Sequence, residues 1–411
     1  LLLGREPKDY DVGTDASPEE VRDLFRNSRA IGRRFRIIHV YFKGNKIIEV
    51  STFRDSVAAD TVDEQPTLAA DNTFGDPETD AVRRDLTING LFYDLSTFSV
   101  IDYVGGIKDL REGVIRIIGE PEVRIQEDPV RMIRAVRHAA RLGFLLESRT
   151  LDAICRQKNL IKLCPLSRLH EEFLRDMCGG AFAEAIRLLH ETGLLAFLLP
   201  LLDRELTARR SEVWPQLEQV LLRIDERIKR GEEPSTAVVL AALFIGNLPL
   251  TVEAGSGFGE AAKYWARSPV AEAAPDGGEE QEQTPGQSLL FRLSARQNRQ
   301  RSAVRSRRAK QSPLSKMIAR IFEAVGVPRR DRERMEQLLL ARYCLYTVSS
   351  EETEHEQRRR IFTPELRMLA QLLGEEEKLN AAVSGPEGQT DRLAGQSRHK
   401  KGRRRGRRRR R

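Results

Sequence analysis

EDPVRMIRAVRHAARLG, residues 127–143, marks the point where the chain passes from mixed to helical patterning. Asp128 followed by Pro129 fits an N-cap and a first helical position, and Met132, Ile133 and Val136 supply an apolar stripe behind them. Arg131, Arg134 and Arg137 recur every third residue, which places them on adjoining turns of one helix. Three cations so placed repel one another unless an anion lies opposite. A triphosphate or an RNA backbone is one such anion; a solvated basic face is the other reading.

Upstream of this helix the patterning is mixed. DYDVGT (9–14), RIIHVYF (36–42) and KIIEVSTF (46–53) read as strands. Ser17-Pro18-Glu19-Glu20 has a capping serine, a proline at the first helical position and a glutamate three residues after the cap, so VRDLFRN (21–27) reads as helical. GLFYDL (90–95) and SVIDYV (99–104) are further short apolar runs, and residues 1–118 read as an α/β domain. From 119 the β signal disappears, and SRLHEEFLRDM, FAEAIRLLHETGLLAFLLPLL and VWPQLEQVLLRIDERI carry helical periodicity to about 250. Residues 253–288 read as a flexible insertion. The stretch 292–310 holds eight Lys or Arg and no acid, and helical patterning returns at 313–326, 331–347 and 363–374. Everything after about 380 reads as disordered. The fold class is therefore α+β, an α/β head with a small mixed sheet followed by an all-α region.

Asp9 and Asp11 stand two apart on a strand and so share a face. Neighbouring carboxylates repel unless a cation bridges them, and hard oxygen ligands suit Mg²⁺. Asp is also common at strand ends and turns. Glu49 lies in an otherwise apolar strand, where a charge is costly unless it faces water or a cation. It is either a solvated residue on an edge strand or, if that strand pairs beside the first, a third metal ligand. Arg83-Arg84-Asp85-Leu86-Thr87-Ile88-Asn89 puts two guanidiniums beside a carboxylate and an amide, either a phosphate clamp or a salt-bridged surface helix.

The chain of 411 residues is 40% hydrophobic and 32% charged, enough apolar content for true cores. No apolar run is long enough to span a membrane, and four cysteines are too few and scattered for a disulfide framework. A cytoplasmic protein with reduced thiols is expected. The net charge of +8 is the sum of two unlike parts: residues 398–411 carry eleven Lys or Arg and no acid, leaving 8 − 11 = −3 for residues 1–397. Such a tail suits a polyanion, RNA or DNA first. The chain opens LLLGREPKDYD without Met, as a fragment or a processed start would.

PKDYDV, IIEVSTFR, RRDLTING, DYVGGIKDL, EDPVRMIRAVRHAARLG and SRLHEEFLR occur in the order and spacing of one family. Their sequence resembles the class II tRNA nucleotidyltransferases and bacterial poly(A) polymerases of the polymerase-beta nucleotidyltransferase superfamily. The resemblance is dense over residues 1–200. It implies a catalytic head over 1–118, a helical neck that binds nucleotide and RNA over 119–185, a helical body over 186–380 and a basic tail over 381–411. It further implies that Asp9 and Asp11 hold catalytic Mg²⁺ and that Asp85 is a further catalytic acid. Arg84 would grip the phosphates of ATP with Asn89 nearby, Asp128 and Arg131 would read the base, and Arg134 and Arg137 would trail toward the phosphates. Arg168 and Glu171 match a motif that braces the neck. The family's Gly-Gly loop and its following Arg, which lie just before Leu1 in register, are absent from this sequence, and no His-Asp pair suggests an appended hydrolase domain.

Within that family the Arg-rich tail, GRRFRIIHV (32–40), the DNTFG loop (71–75) and the basic stretch at 292–310 resemble the bacterial poly(A) polymerase branch. The expected activity is template-independent addition of AMP from ATP to RNA 3′ ends, with the tail attracting RNA. A tRNA CCA- or A-adding enzyme is the alternative with the same chemistry. A non-catalytic RNA-binding relative is the alternative from another class.

Overall fold

Period-two alternation in the first hundred residues sets one small sheet. Ile38, Val40 and Val50 are buried with Val21, while the residues between them, His39 and Glu49, belong to the opposite face. The computed structural model describes residues 2–4, 10–32, 37–44, 46–54, 74–247, 318–319, 322–347 and 363–384. Four strands, β1 (Asp11–Thr14), β2 (Ser28–Ile31), β3 (Ile37–Phe42) and β4 (Lys46–Thr52), are ordered β1-β4-β3-β2. β1 runs parallel to β4 and the other pairs are antiparallel. Helix α1 (Pro18–Leu24) opens on the expected capping box, with the Ser17 side chain accepting from the Glu20 N–H and Glu20 reaching back to the Ser17 N–H. Val21 carries α1 onto the sheet.

α1 ends at Leu24, three residues short of the expected helical stretch, and Ser28–Ile31 becomes an edge strand that the sequence reading missed. SRAI has too few apolar residues to announce itself; its pairing with β3 makes it a strand.

The rest of the first compact unit, Leu1–Cys164, is built from short pieces. They are α2 (Pro77–Arg83), a 3₁₀ turn (Thr87–Asn89), the hairpin β5 (Leu91–Asp94) and β6 (Ser99–Asp102), α3 (Gly106–Glu112), α4 (Pro121–Glu127), α5 (Val130–Leu142) and α6 (Ser148–Gln157). β7 (Val114–Ile115) and β8 (Leu145–Leu146) pair in parallel, so β structure persists slightly beyond 119. α5 begins at Val130 rather than at Pro129. Pro129 is already helical in its dihedrals, and Asp128 closes α4 while its carboxylate accepts from the Val130 N–H at 3.3 Å.

The described part of the second unit, Pro165–Arg411, consists of helices joined by turns and loops. It comprises α7 (Leu166–Met177), α8 (Phe182–Glu191), α9 (Leu195–Leu198), α10 (Pro200–Lys229), α11 (Thr236–Asn247), α12 (Arg329–Thr347), α13 (Pro364–Leu373) and α14 (Glu376–Ser384). Residues 237–243 of α11 are buried on every side, as an all-apolar helix must be. α10 is broken at Arg209, whose dihedrals are not helical. Asp225 on α10 accepts the Phe182 and Ala183 N–H groups at 2.7 and 3.0 Å, anchoring the start of α8.

Two expectations are corrected here. Helix α14 runs past residue 380 to Ser384, and residues 322–326 are turns rather than helix. The insertion at 253–288, the basic stretch at 292–310 and the tail beyond 384 lie outside the described residues. No described helix is long and apolar enough to cross a membrane.

Candidate active site

The parallel pairing of β1 with β4 puts Asp11 level with Glu49, and the antiparallel pairing of β4 with β3 puts Glu49 level with His39. These three residues therefore form a row across the sheet face opposite α1. β4 is an interior strand, so Glu49 is not the edge residue of one sequence reading. Its carboxylate is 48% exposed on the open face, 3.2 Å from His39 Nε2. Asp9 lies outside the described residues. Among the described residues no three His, Cys, Asp or Glu side chains form a metal cluster. Asp11 and Glu49 nevertheless fit a hard divalent cation in donor chemistry, being adjacent carboxylates on a solvent-accessible sheet face.

An aromatic chain links that face to the RRD segment. Gly13 is two residues beyond Asp11 and so on the same face; a Cβ there would lie 2.5 Å from the Phe53 ring. Phe53 meets Phe92 edge to face with centroids 5.6 Å apart, and the Arg84 guanidinium lies over Phe92 at 4.8 Å.

Arg84 follows α2, whose Asp76 capping box and Pro77 fix where the helix starts and hence where it delivers its last turn. Arg84 Nε donates to Asp80 Oδ2 at 3.1 Å, Nη2 lies 3.1 Å from the same oxygen, and Nη1 donates to the Asn89 carbonyl at 3.0 Å. Asp85, the next residue, is turned inward. Its carboxylate accepts from the Leu86 N–H, from Asn89 Nδ2 at 3.1 Å and from Arg134 Nε at 2.6 Å. Burial alone would raise its pKa, but the Arg134 guanidinium and the Asn89 amide outweigh it and hold the carboxyl below the usual carboxylate range. Asp85 thus ties the RRD segment to α5.

Glu127 gathers the arginines around Asp128 and Arg131. Its Oε2 accepts from Arg124 Nη1 at 2.6 Å and from Arg131 Nη1 at 2.9 Å, and Arg131 also donates to the Arg124 carbonyl. Arg124 Nη2 in turn donates to the carbonyls of Arg83 and Arg84 at 2.7 and 3.0 Å. So Arg84, Asn89, Asp85, Asp128, Arg131 and Arg134 converge on one junction between the RRD segment and the start of α5. Arg137 lies one turn further along α5. Next to it, His138 is pushed down to about 4 by burial first and by Arg137 second, with Asp85 pulling the other way.

Arg168 and Glu171 sit on the exposed side of α7, where Glu171 accepts from Arg175. The buried acids of that helix are their neighbours Glu172 and Asp176. Sequence reasoning also missed Asp80, four residues before Arg84 and therefore on the facing turn, and Asp102. The Asp102 carboxylate accepts four backbone N–H groups, from Val104 through Ile107, and so shapes the DYVGGIKDL loop. An Asp at i−4 from an Arg was the available signal for Asp80.

Residues 1–116 match the family model "Poly A polymerase head domain", and residues 143–206 match "Probable RNA and SrmB- binding site of polymerase A". The chain is 46% identical over 252 residues to poly(A) polymerase I of Escherichia coli O6:H1, covering 59% of this chain and 54% of that one. It is 37% identical over 212 residues to the CC-adding tRNA nucleotidyltransferase of Halalkalibacterium halodurans, covering 51% of each. The chain spans about half the length of the curated relatives it matches. In fold it is similar to the Bacillus stearothermophilus CCA-adding enzyme crystallised with CTP, with a TM-score of 0.56 and 24% identity over 94% of this chain and 72% of that one.

Proposed function

We propose, from the match of residues 1–116 to the poly(A) polymerase head model and of residues 143–206 to the model of its probable RNA-binding site, that the protein adds AMP from ATP to RNA 3′ ends without a template, releasing pyrophosphate. The observation that carries the reading is the aromatic chain Gly13–Phe53–Phe92–Arg84, which joins the acidic face of Asp11 and Glu49 to a guanidinium. A nucleotidyl-transfer site needs carboxylates at one end for a cation and a fixed cation at the other for phosphate.

Asp9, Asp11 and Glu49 would hold Mg²⁺. When bound, the ion supplies Lewis acidity toward the attacking 3′-hydroxyl and charge neutralisation for the departing pyrophosphate. The chain's own part is positioning. Arg84 binds the triphosphate, Asp85 and Asn89 keep the RRD segment on α5, and Asp128 and Arg131 read the adenine edge by hydrogen bonds. Arg134 and Arg137 add positive charge on α5 toward the phosphates. Arg168 and Glu171 would brace the helical neck. The mildly acidic body and polycationic tail support sequence-blind attraction of RNA in the bacterial cytoplasm.

The similarity to a CC-adding enzyme supports a second reading, addition of C and A to tRNA. Supplying one nucleotide at a time with Mg²⁺, on an unstructured RNA and on a tRNA lacking its terminal triplet, separates the two. Long tails with ATP alone on the unstructured RNA support polyadenylation. Addition confined to tRNA, stopping after the triplet or one A, supports the second reading. No addition to either leaves a non-catalytic RNA-binding protein.

A further inference from the structure

We propose that Asp80 is a positioning residue for the donor nucleotide: with Phe92 it fixes the Arg84 guanidinium so that its outer edge meets the triphosphate. The proposal rests on the reading of ATP as donor given above.

An arginine has five N–H donors in a flat fork. Two are taken by hydrogen bonds here, Nε by Asp80 and one on Nη1 by the Asn89 carbonyl, while Nη2 is ion-paired to the same Asp80 oxygen at 3.1 Å. The Phe92 ring covers one face at 4.8 Å. That leaves at least one N–H on each terminal nitrogen of a side chain that is still 39% exposed, a geometry that matches two phosphate oxygens. Asp80 itself is only 11% exposed and also lies 3.6 Å from Arg83 Nη2, so one nearly buried carboxylate orients both arginines. A carboxylate near a polyanion repels it. Its presence there is explained if holding Arg84 in one rotamer gains more affinity than the repulsion removes. Phe53 against Phe92 keeps the platform itself from tilting.

The test is calorimetric titration of the full chain with ATP, with inorganic tripolyphosphate and with adenosine, alongside thermal unfolding. Asp80→Asn should weaken ATP and tripolyphosphate about tenfold while leaving adenosine binding within about twofold, as expected for loss of one charge-assisted hydrogen-bonding partner. Asp80→Glu should recover part of the loss. Phe92→Leu, which keeps apolar packing but removes the ring face, should weaken tripolyphosphate by about two- to threefold. Two results would overturn the positioning role: unchanged tripolyphosphate affinity in Asp80→Asn, or an equal loss for all three ligands, which marks general destabilisation. If the unaltered chain binds neither ATP nor tripolyphosphate, the donor reading fails and the positioning role with it.

Discussion

Arg131 is the residue to which the proposed function assigns nucleotide selectivity. Its guanidinium is 13% exposed and held by Glu127 Oε2 and the Arg124 carbonyl, so it presents a fixed pattern of donors rather than a mobile charge. Arg131→Ala should therefore blur the preference for ATP over CTP and GTP by about tenfold, read as the ratio of kcat/KM values. An unchanged ratio would assign Arg131 to helix packing alone. Gly106 makes a different demand. A Cβ there would lie 2.2 Å from the Thr87 carbonyl oxygen, backbone that cannot swing aside. Gly106→Ala should lower unfolding free energy by about 1–3 kcal/mol, measured by denaturant titration. The candidate site residues stood out in the sequence because charged residues at i+2, i+3 and i+4 have fixed directions on strands and helices. Their partners were not. Nothing local to Asp85 points to Arg134, and nothing local to Phe53 points to Phe92, because those contacts depend on how distant segments return to one another.

Elements show the same division. Strands β3 and β4 alternate clearly and α1 begins with a strong cap, so each could be read directly. β2 carries no pattern of its own and exists through its ladder with β3. The start of α5 differs from the reading by one residue because Asp128 serves both the end of α4 and the turn into α5. α5 also carries the clearest pH signature. His138, ordinarily near 6.5, stands at about 4 in the fold, with burial first and then Arg137, Arg134 and Arg141 disfavouring its proton and Asp85 favouring it. Above pH 6.5 it is neutral folded and unfolded, so it contributes no slope. As pH falls from 6.5 to about 4 the unfolded chain takes up a proton that the folded chain refuses, and stability declines by up to about 3 kcal/mol. Asp85, whose pKa is lowered from 3.8, adds its loss only at more acid pH. Unfolding followed from pH 8 to 4 should show this decline, and His138→Leu should flatten it. An identical pH slope in the variant would remove His138 from the account.

At the scale of the whole molecule, charge is divided between a body at −3 and a tail at +11. Deleting residues 398–411 should weaken binding to a structureless RNA at low salt. It should also make the dependence of log K on log salt shallower, by about 0.7 for each tail cation that meets a phosphate. Equal salt slopes with and without the tail would show that it does not touch RNA. The change from mixed to helical patterning was readable in the periodicity near residue 119, since period two and period 3.6 cannot be confused over long stretches, but the first compact unit runs on to Cys164 because β7 pairs with β8. The packing of the second unit was less readable. α11 is apolar all round, and a helix without a polar face gives no sign of which neighbours will cover it.

Under the proposed function, nucleotide transfer takes place on the acidic face of β1 and β4, which is joined through Phe53 and Phe92 to Arg84. The most direct measurement compares the parent protein with Asp11→Ala, using Mg²⁺, labelled ATP and an unstructured RNA, and follows both label incorporation and RNA binding. The parent should extend the RNA with adenylate while Asp11→Ala incorporates at least 1,000-fold less, on the order of a lost essential electrostatic contribution, and binds the RNA within about twofold of the parent. Incorporation by Asp11→Ala at the parent's rate would show that Asp11 takes no part in the transfer.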